Sequence, residues 1–205
     1  MKVLLINGSP HSKGCTYTAL EHVAIGLNEY DIDTEIVQIG HLPIRGCIAC
    51  GQCSTLGKCV FDDAVNEIAK KFEEADGIVV GSPVYYASAN GTLTSFLDRL
   101  FYSTRFDRTM KVGACVVSCR RGGASSTFDQ LNKYFTISQM PVASSRYWNS
   151  VHGNTREEVL QDLEGLFTMR TLGRNMAFLL EAVQKQKEEH GLPLMEKRVS
   201  TNFIR

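Results

Sequence analysis

Hydrophobic positions follow two patterns that alternate along the first 140 or so residues. Short apolar runs that end at glycine or polar residues are typical of buried strands in a parallel sheet. They predict strands at residues 2–7, 33–39, 77–80, 112–117 and, more briefly, 140–143. Between these runs, apolar residues recur every three or four positions, which is the period of a helix with one buried face. That spacing predicts helices at residues 16–30, 63–75, 91–102 and 124–136.

This order of elements predicts an α/β fold, a doubly wound five-stranded parallel sheet with helices on both faces. Ligands of such sheets bind outside the carboxyl ends of the strands, at a topological switch point. Loops rich in glycine and serine follow the first, third and fourth predicted strands, at residues 8–16, 81–91 and 118–126. We therefore expect these three loops to converge on one site.

The C-terminal third differs in pattern, because residues 155–190 are largely helical in spacing and contain no strand signal. We predict two helices there, with a break near Gly165 or Gly173, followed by a tail without a clear period. The 205 residues suggest a single domain. Its two departures from the regular alternation are a cysteine-rich excursion at about 41–62 and the helical part at about 155–190.

Charge and hydropathy narrow the classes of partner. The 22 basic residues are balanced by 22 acidic ones, which disfavours nucleic acid or an acidic membrane surface as the main partner. No apolar stretch approaches the roughly 18 residues needed to span a bilayer. The N-terminus lacks the apolar region and cleavage site of a signal peptide. We expect a cytoplasmic protein with no nucleic-acid partner and no membrane span.

The first loop, GSPHSKGCT, has the composition of an anion cradle. A Walker loop would need a lysine after Gly14, where this chain has Cys15, and the G-x-G-x-x-G dinucleotide fingerprint is absent. The hydroxyls of Ser9, Ser12 and Thr16, together with the N-terminus of the following helix, suit a phosphate monoester. A capped strand-to-helix turn without any ligand is the alternative.

The second and third loops offer an aromatic surface and a basic pair. Tyr85 and Tyr86 offer flat aromatic surface that suits a planar ring, although a tyrosine pair on the core or at a subunit contact is the alternative. Arg120 and Arg121 suit an anionic group of a bound ligand, or are simply solvated. Cys115 and Arg121 have the C-x5-R spacing of low-molecular-weight tyrosine phosphatases. However, Cys115 falls inside a predicted strand, which favours a buried free thiol.

Four of the seven cysteines lie within thirteen residues, in the pattern C-x2-C-x2-C-x5-C. This spacing is close to the ferredoxin pattern that binds a [4Fe–4S] cluster, whereas zinc ribbons carry two separated C-x2-C pairs. Disulfides after oxidation and a loop of metal-free thiols remain alternatives. Asp62 and Asp63 follow directly and are expected to cap the next helix.

Three stretches, GSPHSKGCT, GSPVYYASANGTLTSFLDRLF and GKCVFDD, together resemble the flavodoxin-like NAD(P)H-dependent FMN reductases. More narrowly, they resemble the branch that includes the iron–sulfur flavoproteins. The resemblance covers most of residues 1–136, and relatives often carry asparagine where this chain has Cys15. It implies a flavodoxin-like fold and an FMN site formed by Ser9, His11, Ser12, Cys15, Thr16, Tyr17, Pro83, Val84, Tyr85, Tyr86, Asn90, Gly91, Ser118, Arg120, Gly122 and Gly123. It also implies a [4Fe–4S] cluster held by Cys47, Cys50, Cys53 and Cys59.

The function implied is that of an FMN-dependent NAD(P)H oxidoreductase. Reduced nicotinamide would act as a transient cosubstrate, passing hydride to FMN, and electrons would then reach a small-molecule acceptor such as a flavin or quinone. No catalytic side chain is expected, because the flavin carries the chemistry. The alternatives are an electron carrier that exchanges electrons with a ferredoxin-like protein and a non-catalytic flavin or thiol redox sensor. The family resemblance also implies a homodimer or homotetramer.

Overall fold

The computed structural model describes residues 1–197, 199–201 and 203. The strands of these described ranges are β1 (Lys2–Asn7), β2 (Asp33–Gln38), β3 (Gly77–Tyr85), β4 (Ser88–Ala89), β5 (Val112–Cys119) and β6 (Ser150–His152). Their helices are α1 (Cys15–Asn28), α2 (Cys53–Leu56), α3 (Ala64–Glu74), α4 (Gly91–Ser103), α5 (Ala124–Thr136), α6 (Arg156–Val159) and α7 (Leu163–His190). None of these helices is both long enough and apolar enough to cross a membrane.

The sheet has the strand order β2-β1-β3-β5-β6, and all four pairings along this path are parallel. The order reverses direction between β1 and β3, which creates the switch point typical of flavodoxin-like sheets. The short strand β4 pairs antiparallel with the end of β3 and forms a hairpin beside this point. The predicted class, a doubly wound sheet of five parallel strands, is confirmed.

Apolar residues fill both faces of the sheet, because successive side chains of each strand point to opposite sides. Leu5 of β1 and Val79 of β3 pack with α1 and α7 on one face. Leu4 and Ile78, their neighbours in the sequence, pack with α3, α4 and α5 on the other face. This double burial explains why the central strands are continuous apolar runs in the sequence.

The fifth parallel strand is not where the sequence placed it. Residues 140–143 contribute only an isolated bridge between Gly113 and Val142, and β6 is the strand that extends the sheet. The edge of β5 is divided between these two segments. The buried side chain of Asn149 donates to the Cys115 carbonyl at 3.0 Å, and β6 pairs with β5 beyond that point. The prediction of a strand at residues 140–143 is therefore wrong.

The break in the C-terminal helical region lies between α6 and α7. Helix α6 ends at Val159, and α7 runs without interruption from Leu163 to His190. Asp162 begins α7 by accepting a hydrogen bond from the Gly165 amide at 2.9 Å. The two predicted helices are therefore present, and the break between them lies at residues 160–162, shortly before Gly165 rather than near Gly173.

Candidate functional site

Three loops converge at the carboxyl edge of the sheet, as their positions predicted. The Gly8 amide donates to the Gly81 carbonyl at 2.8 Å, which joins the first loop to β3. The hydroxyls of Thr16 and Ser118 are 2.8 Å apart, which joins the first helix to the end of β5. The Ser126 hydroxyl donates to the carbonyl of residue 87 at 2.8 Å, which joins the third loop to the β3–β4 hairpin.

The first loop forms a cradle of amides and hydroxyls. Helix α1 begins at Cys15, and the N–H groups of its first turn have no partner inside the helix, as in any α-helix. The preceding residue, Gly14, has no side chain that could cap them. Ser9 and Thr16 are buried beside this turn, whereas His11 and Ser12 are exposed at its lip. Free amides, a helix N-terminus and nearby hydroxyls match the chemistry of a phosphate group.

Two polar residues shape this cradle, and the sequence analysis did not identify them. Asn7 is fully buried, and its side-chain oxygen accepts from the Ser9 amide at 3.1 Å. Its amide group donates to Gln38, whose own amide donates to the Ser9 carbonyl at 2.6 Å. The available signal was a polar residue at the end of each of the neighbouring strands β1 and β2.

The second loop presents its aromatic residues to solvent. Tyr86 and Ala87 form the turn of the β3–β4 hairpin, with φ values of +50° and +58°. Tyr86 is fully exposed and Tyr85 is 46% exposed, so neither side chain is packed in the core of this chain. Pro83 and Val84 are half-buried beneath them and complete a surface suited to a planar ring.

Asn90, which the resemblance places close to the flavin ring, caps the helix that follows the second loop. Its side-chain oxygen caps α4 by accepting from the amides of Thr92 at 2.8 Å and Leu93 at 3.3 Å. Its own amide donates to the Ser82 hydroxyl at 2.9 Å. Gly91 is exposed next to it. Asn90 therefore fixes the end of the second loop through bonds within the protein.

The third loop places small residues against the hairpin. Ser118 is buried under the first loop, whereas Arg120, Arg121 and Gly122 are exposed. Gly123 has φ +91°, and a Cβ atom there would stand only 2.8 Å from the backbone of residue 87. The loop can approach the hairpin this closely only because the residue is glycine.

Cys115 is a buried thiol of the sheet and does not resemble a phosphatase nucleophile. It is completely buried in β5, and its thiol contacts the side-chain oxygen of Asn132 at 3.3 Å. Burial raises the pKa of Cys115 far above its usual range, so the thiol stays protonated. This position agrees with the interpretation that the spacing to Arg121 is coincidental.

The cysteine-rich segment forms a second candidate site, away from the three loops. Its four cysteines are free thiols that line one cavity, although they differ in exposure. Cys47 and Cys50 are exposed, Cys59 is half-buried and Cys53 is buried at the start of α2. Ile48, Val60, Phe61 and Tyr102 contribute to the apolar wall of this cavity. Thiols in an apolar wall suit iron–sulfur clusters or zinc.

A buried arginine forms part of the wall of the cysteine cavity. Arg99 of α4 is 1% exposed, and its two terminal amino groups bind both oxygens of Asp63 at 2.7 and 2.8 Å. Its Nε donates to the sulfur of Cys59 at 3.2 Å. Burial lowers the pKa of Arg99, but Asp63 and Cys59 outweigh this effect, so the pKa is raised overall. Asp63 also caps α3, as expected.

The chain matches the model of a known protein family. The model of the NADPH-dependent FMN reductases matches residues 1–155, which include all three converging loops. The chain belongs to the NADPH-dependent FMN reductase family. The expected flavoprotein class and FMN cofactor are thereby confirmed for this FMN reductase family member.

Relatives of similar length carry a more specific name. The family member is 33% identical over 193 residues to an iron–sulfur flavoprotein of Methanocaldococcus jannaschii, a match covering 90% of this chain and 100% of the relative. It is 31% identical over 195 residues to an iron–sulfur flavoprotein of Methanosarcina thermophila, covering 92% and 100%. These matches confirm the resemblance to that branch.

A solved structure agrees with the architecture. The NAD(P)H:quinone oxidoreductase of Methanothermobacter marburgensis has a TM-score of 0.66 and 18% identity to this FMN reductase family member. The similarity covers 86% of this chain and 96% of the other. At this level of identity, the comparison supports the fold.

Proposed function

We propose that this FMN reductase family member is an electron-transfer flavoprotein with two redox centres. FMN would lie at the three converging loops, and a [4Fe–4S] cluster would lie at the cysteine cavity. The observation that carries the proposal is that four free thiols line one cavity. Two relatives that match about nine tenths of the chain are named iron–sulfur flavoproteins, which supports the same assignment.

The chain's own residues would hold FMN by its two ends. The free amides at the start of α1, with the hydroxyls of Ser9, Ser12 and Thr16, would hold the phosphate. Pro83, Val84 and Tyr85 would contact the ring, and the rest of the predicted site would frame them: His11, Cys15, Tyr17, Tyr86, Asn90, Gly91, Ser118, Arg120, Gly122 and Gly123. When bound, FMN supplies both one-electron and two-electron chemistry, so the side chains need only bind, orient and exclude water.

The cysteine geometry favours a cluster over a single metal ion. Within the residues that the structure describes, no three His, Cys, Asp or Glu side chains stand close enough together to hold one ion. A zinc site would need four ligands around one point. Cys47, Cys50, Cys53 and Cys59 together line one cavity, and four cysteine ligands are the set that a [4Fe–4S] cluster takes.

Hydride transfer from NAD(P)H is the second candidate route for electrons. It is favoured by the exposed aromatic surface of Tyr85 and Tyr86 and by the exposed basic pair Arg120 and Arg121 at the same rim. A reduced nicotinamide could stack on the ring face there, with its phosphates near the arginines. Electrons would then pass to a small-molecule acceptor or to a ferredoxin-like protein.

Anaerobic purification followed by absorption spectroscopy and assays of iron, sulfide and flavin tests the proposal. We expect one FMN and about four iron and four sulfide per chain. Iron-free protein from a strictly anaerobic preparation would overturn the second centre. Rapid mixing of the protein with NADPH, and separately with reduced ferredoxin, then distinguishes the two routes. The donor that bleaches the flavin absorbance faster is the one that supplies the electrons. The cytoplasmic location and the homo-oligomeric state stay predictions.

A further inference from the structure

We propose that Arg99 is a positioning residue that raises the reduction potential of the iron–sulfur cluster at the cysteine cavity. It would do so through its hydrogen bond to the Cys59 sulfur and its fixed positive charge. This inference rests on the proposed function. Its starting observation is the 3.2 Å contact from the Arg99 Nε to the Cys59 sulfur.

The charge of Arg99 is held away from water. The side chain is 1% exposed and is among the largest fully buried side chains in the described part of the chain. Water screens a buried charge much less than an exposed one, so its field at a neighbouring sulfur is strong. A buried arginine is costly to retain unless its donors are satisfied, and here they have partners in the protein.

The orientation of the guanidinium group is fixed on several sides. Asp63 binds both terminal amino groups, and the Arg45 carbonyl accepts from one of them at 3.3 Å. The ring of Phe61 lies 5.0 Å from the guanidinium carbon. Because these contacts occupy the far end of the group, the Nε–H remains directed at Cys59. Asp63 thus aligns the donor, while it also offsets part of the charge.

The direction of the effect follows from the charge change at the cluster. A one-electron reduction makes the cluster and its thiolates more negative, and no bond or proton needs to move. A hydrogen-bond donor and a positive charge stabilise the more negative state, and hydrogen bonds to the sulfurs are a known means of setting cluster potentials. Arg99 therefore favours the reduced cluster.

Arg105 provides a matched control on the same side of the fold. Its Nε also donates into the cysteine segment, but it does so to the backbone carbonyl of Cys53 at 3.3 Å. Its side chain is exposed, so water screens its charge. Arg105→Gln removes one positive charge near the cavity without removing a donor to sulfur.

The experiment is an anaerobic redox titration of holoprotein, in which electron paramagnetic resonance follows the cluster and absorbance follows FMN. The variants are Arg99→Lys, which keeps the charge, and the double variant Arg99→Gln with Asp63→Asn, which leaves no unpaired half-buried carboxylate. In the double variant we expect the ratio of reduced to oxidised cluster at a fixed potential to fall by at least about tenfold, or 59 mV for one electron. Arg99→Lys should give a smaller fall. The reduction potential of FMN should be unchanged in every variant. The cluster potential of the Arg105→Gln protein should equal that of the wild type.

The outcomes separate this inference from the proposed function. Iron-free wild-type protein would overturn the two-centre proposal itself. Iron-replete Arg99 variants with an unshifted cluster potential, or an equal shift in Arg105→Gln, would overturn the role of Arg99 alone. If the variants lose iron, the contact is tested in wild-type protein labelled with nitrogen-15 arginine. We expect hyperfine coupling between an arginine nitrogen and the reduced cluster. Absence of this coupling would refute the contact between Arg99 and the Cys59 sulfur.

Discussion

At the scale of single residues, Gly123 sets how closely the third loop approaches the β3–β4 hairpin. Its φ of +91° and the 2.8 Å approach to residue 87 leave no room for a side chain. We expect Gly123→Ala to lower the free energy of unfolding by about 2–4 kcal/mol, from left-handed strain and from the clash. Urea unfolding measures this loss of stability. Gly122→Ala is the matched control, because a Cβ at Gly122 meets nothing within 4 Å. Equal effects in both variants would contradict this explanation.

The candidate-site residues that can be predicted from the sequence differ from the others in one physical respect. Ser9 and Thr16 follow from local chemistry, since hydroxyls beside a helix start are visible in any short stretch of sequence. Gln38 and Arg99 act through partners far away in the chain, and Asn7 is held by Gln38, which lies 31 residues away. Arg99 appears in the sequence only as a charged residue on an otherwise apolar helix face, and its partners lie 36 and 40 residues away.

At the scale of elements, the predicted central strands β1 and β5 are buried on both faces, whereas the edge strand β2, also predicted, is only partly buried. β1 and β5 are continuous apolar runs, and that pattern results directly from double-sided burial. β6 has only three residues, Ser150–His152, of which one is buried, so it produces no periodic signal. Its position depends on the side chain of Asn149 binding the β5 edge, a long-range contact that local patterns do not encode.

Gly173, one of two positions near which the sequence predicts a helix break, instead allows two helices to touch. A Cβ at Gly173 would stand 2.3 Å from the Val23 carbonyl and 2.9 Å from the Cα of Gly26, both on α1. Alanine favours a helix over glycine by about 1 kcal/mol, yet the rigid backbone of α1 cannot move aside. We therefore expect Gly173→Ala to destabilise the protein by about 2 kcal/mol or more in urea unfolding.

Gly91→Ala is the control for that substitution. Gly91 is also helical, as the first residue of α4, and a Cβ there meets no atom within 4 Å. Helix propensity should dominate at this position, so we expect a neutral or slightly stabilising change. A stabilised Gly173→Ala protein would show that α1 and α7 do not pack as closely as described.

At the scale of the whole molecule, α4 connects the two candidate sites. Its N-cap, Asn90, fixes the second loop, and Arg99 lies nine residues further on, in the wall of the cysteine cavity. Nine residues of helix correspond to about 13 Å along the axis. A rigid element thus holds the two sites apart, so each should be removable without loss of the other.

Reciprocal variants test this independence. Ser12→Glu places a negative charge at the lip of the phosphate cradle, and we expect FMN binding to weaken by about tenfold or more with iron content unchanged. Ser12→Gln, of similar size and neutral, should retain FMN.

The double variant Cys47→Ser with Cys50→Ser should lose iron and keep FMN, since both thiols are exposed and their replacement should cost little stability. Flavin and iron assays on anaerobic samples measure all three proteins. Loss of both cofactors from Ser12→Glu, or from the double cysteine variant, in protein that circular dichroism shows to be folded would mean that the two sites are coupled. That result would contradict their independence along α4.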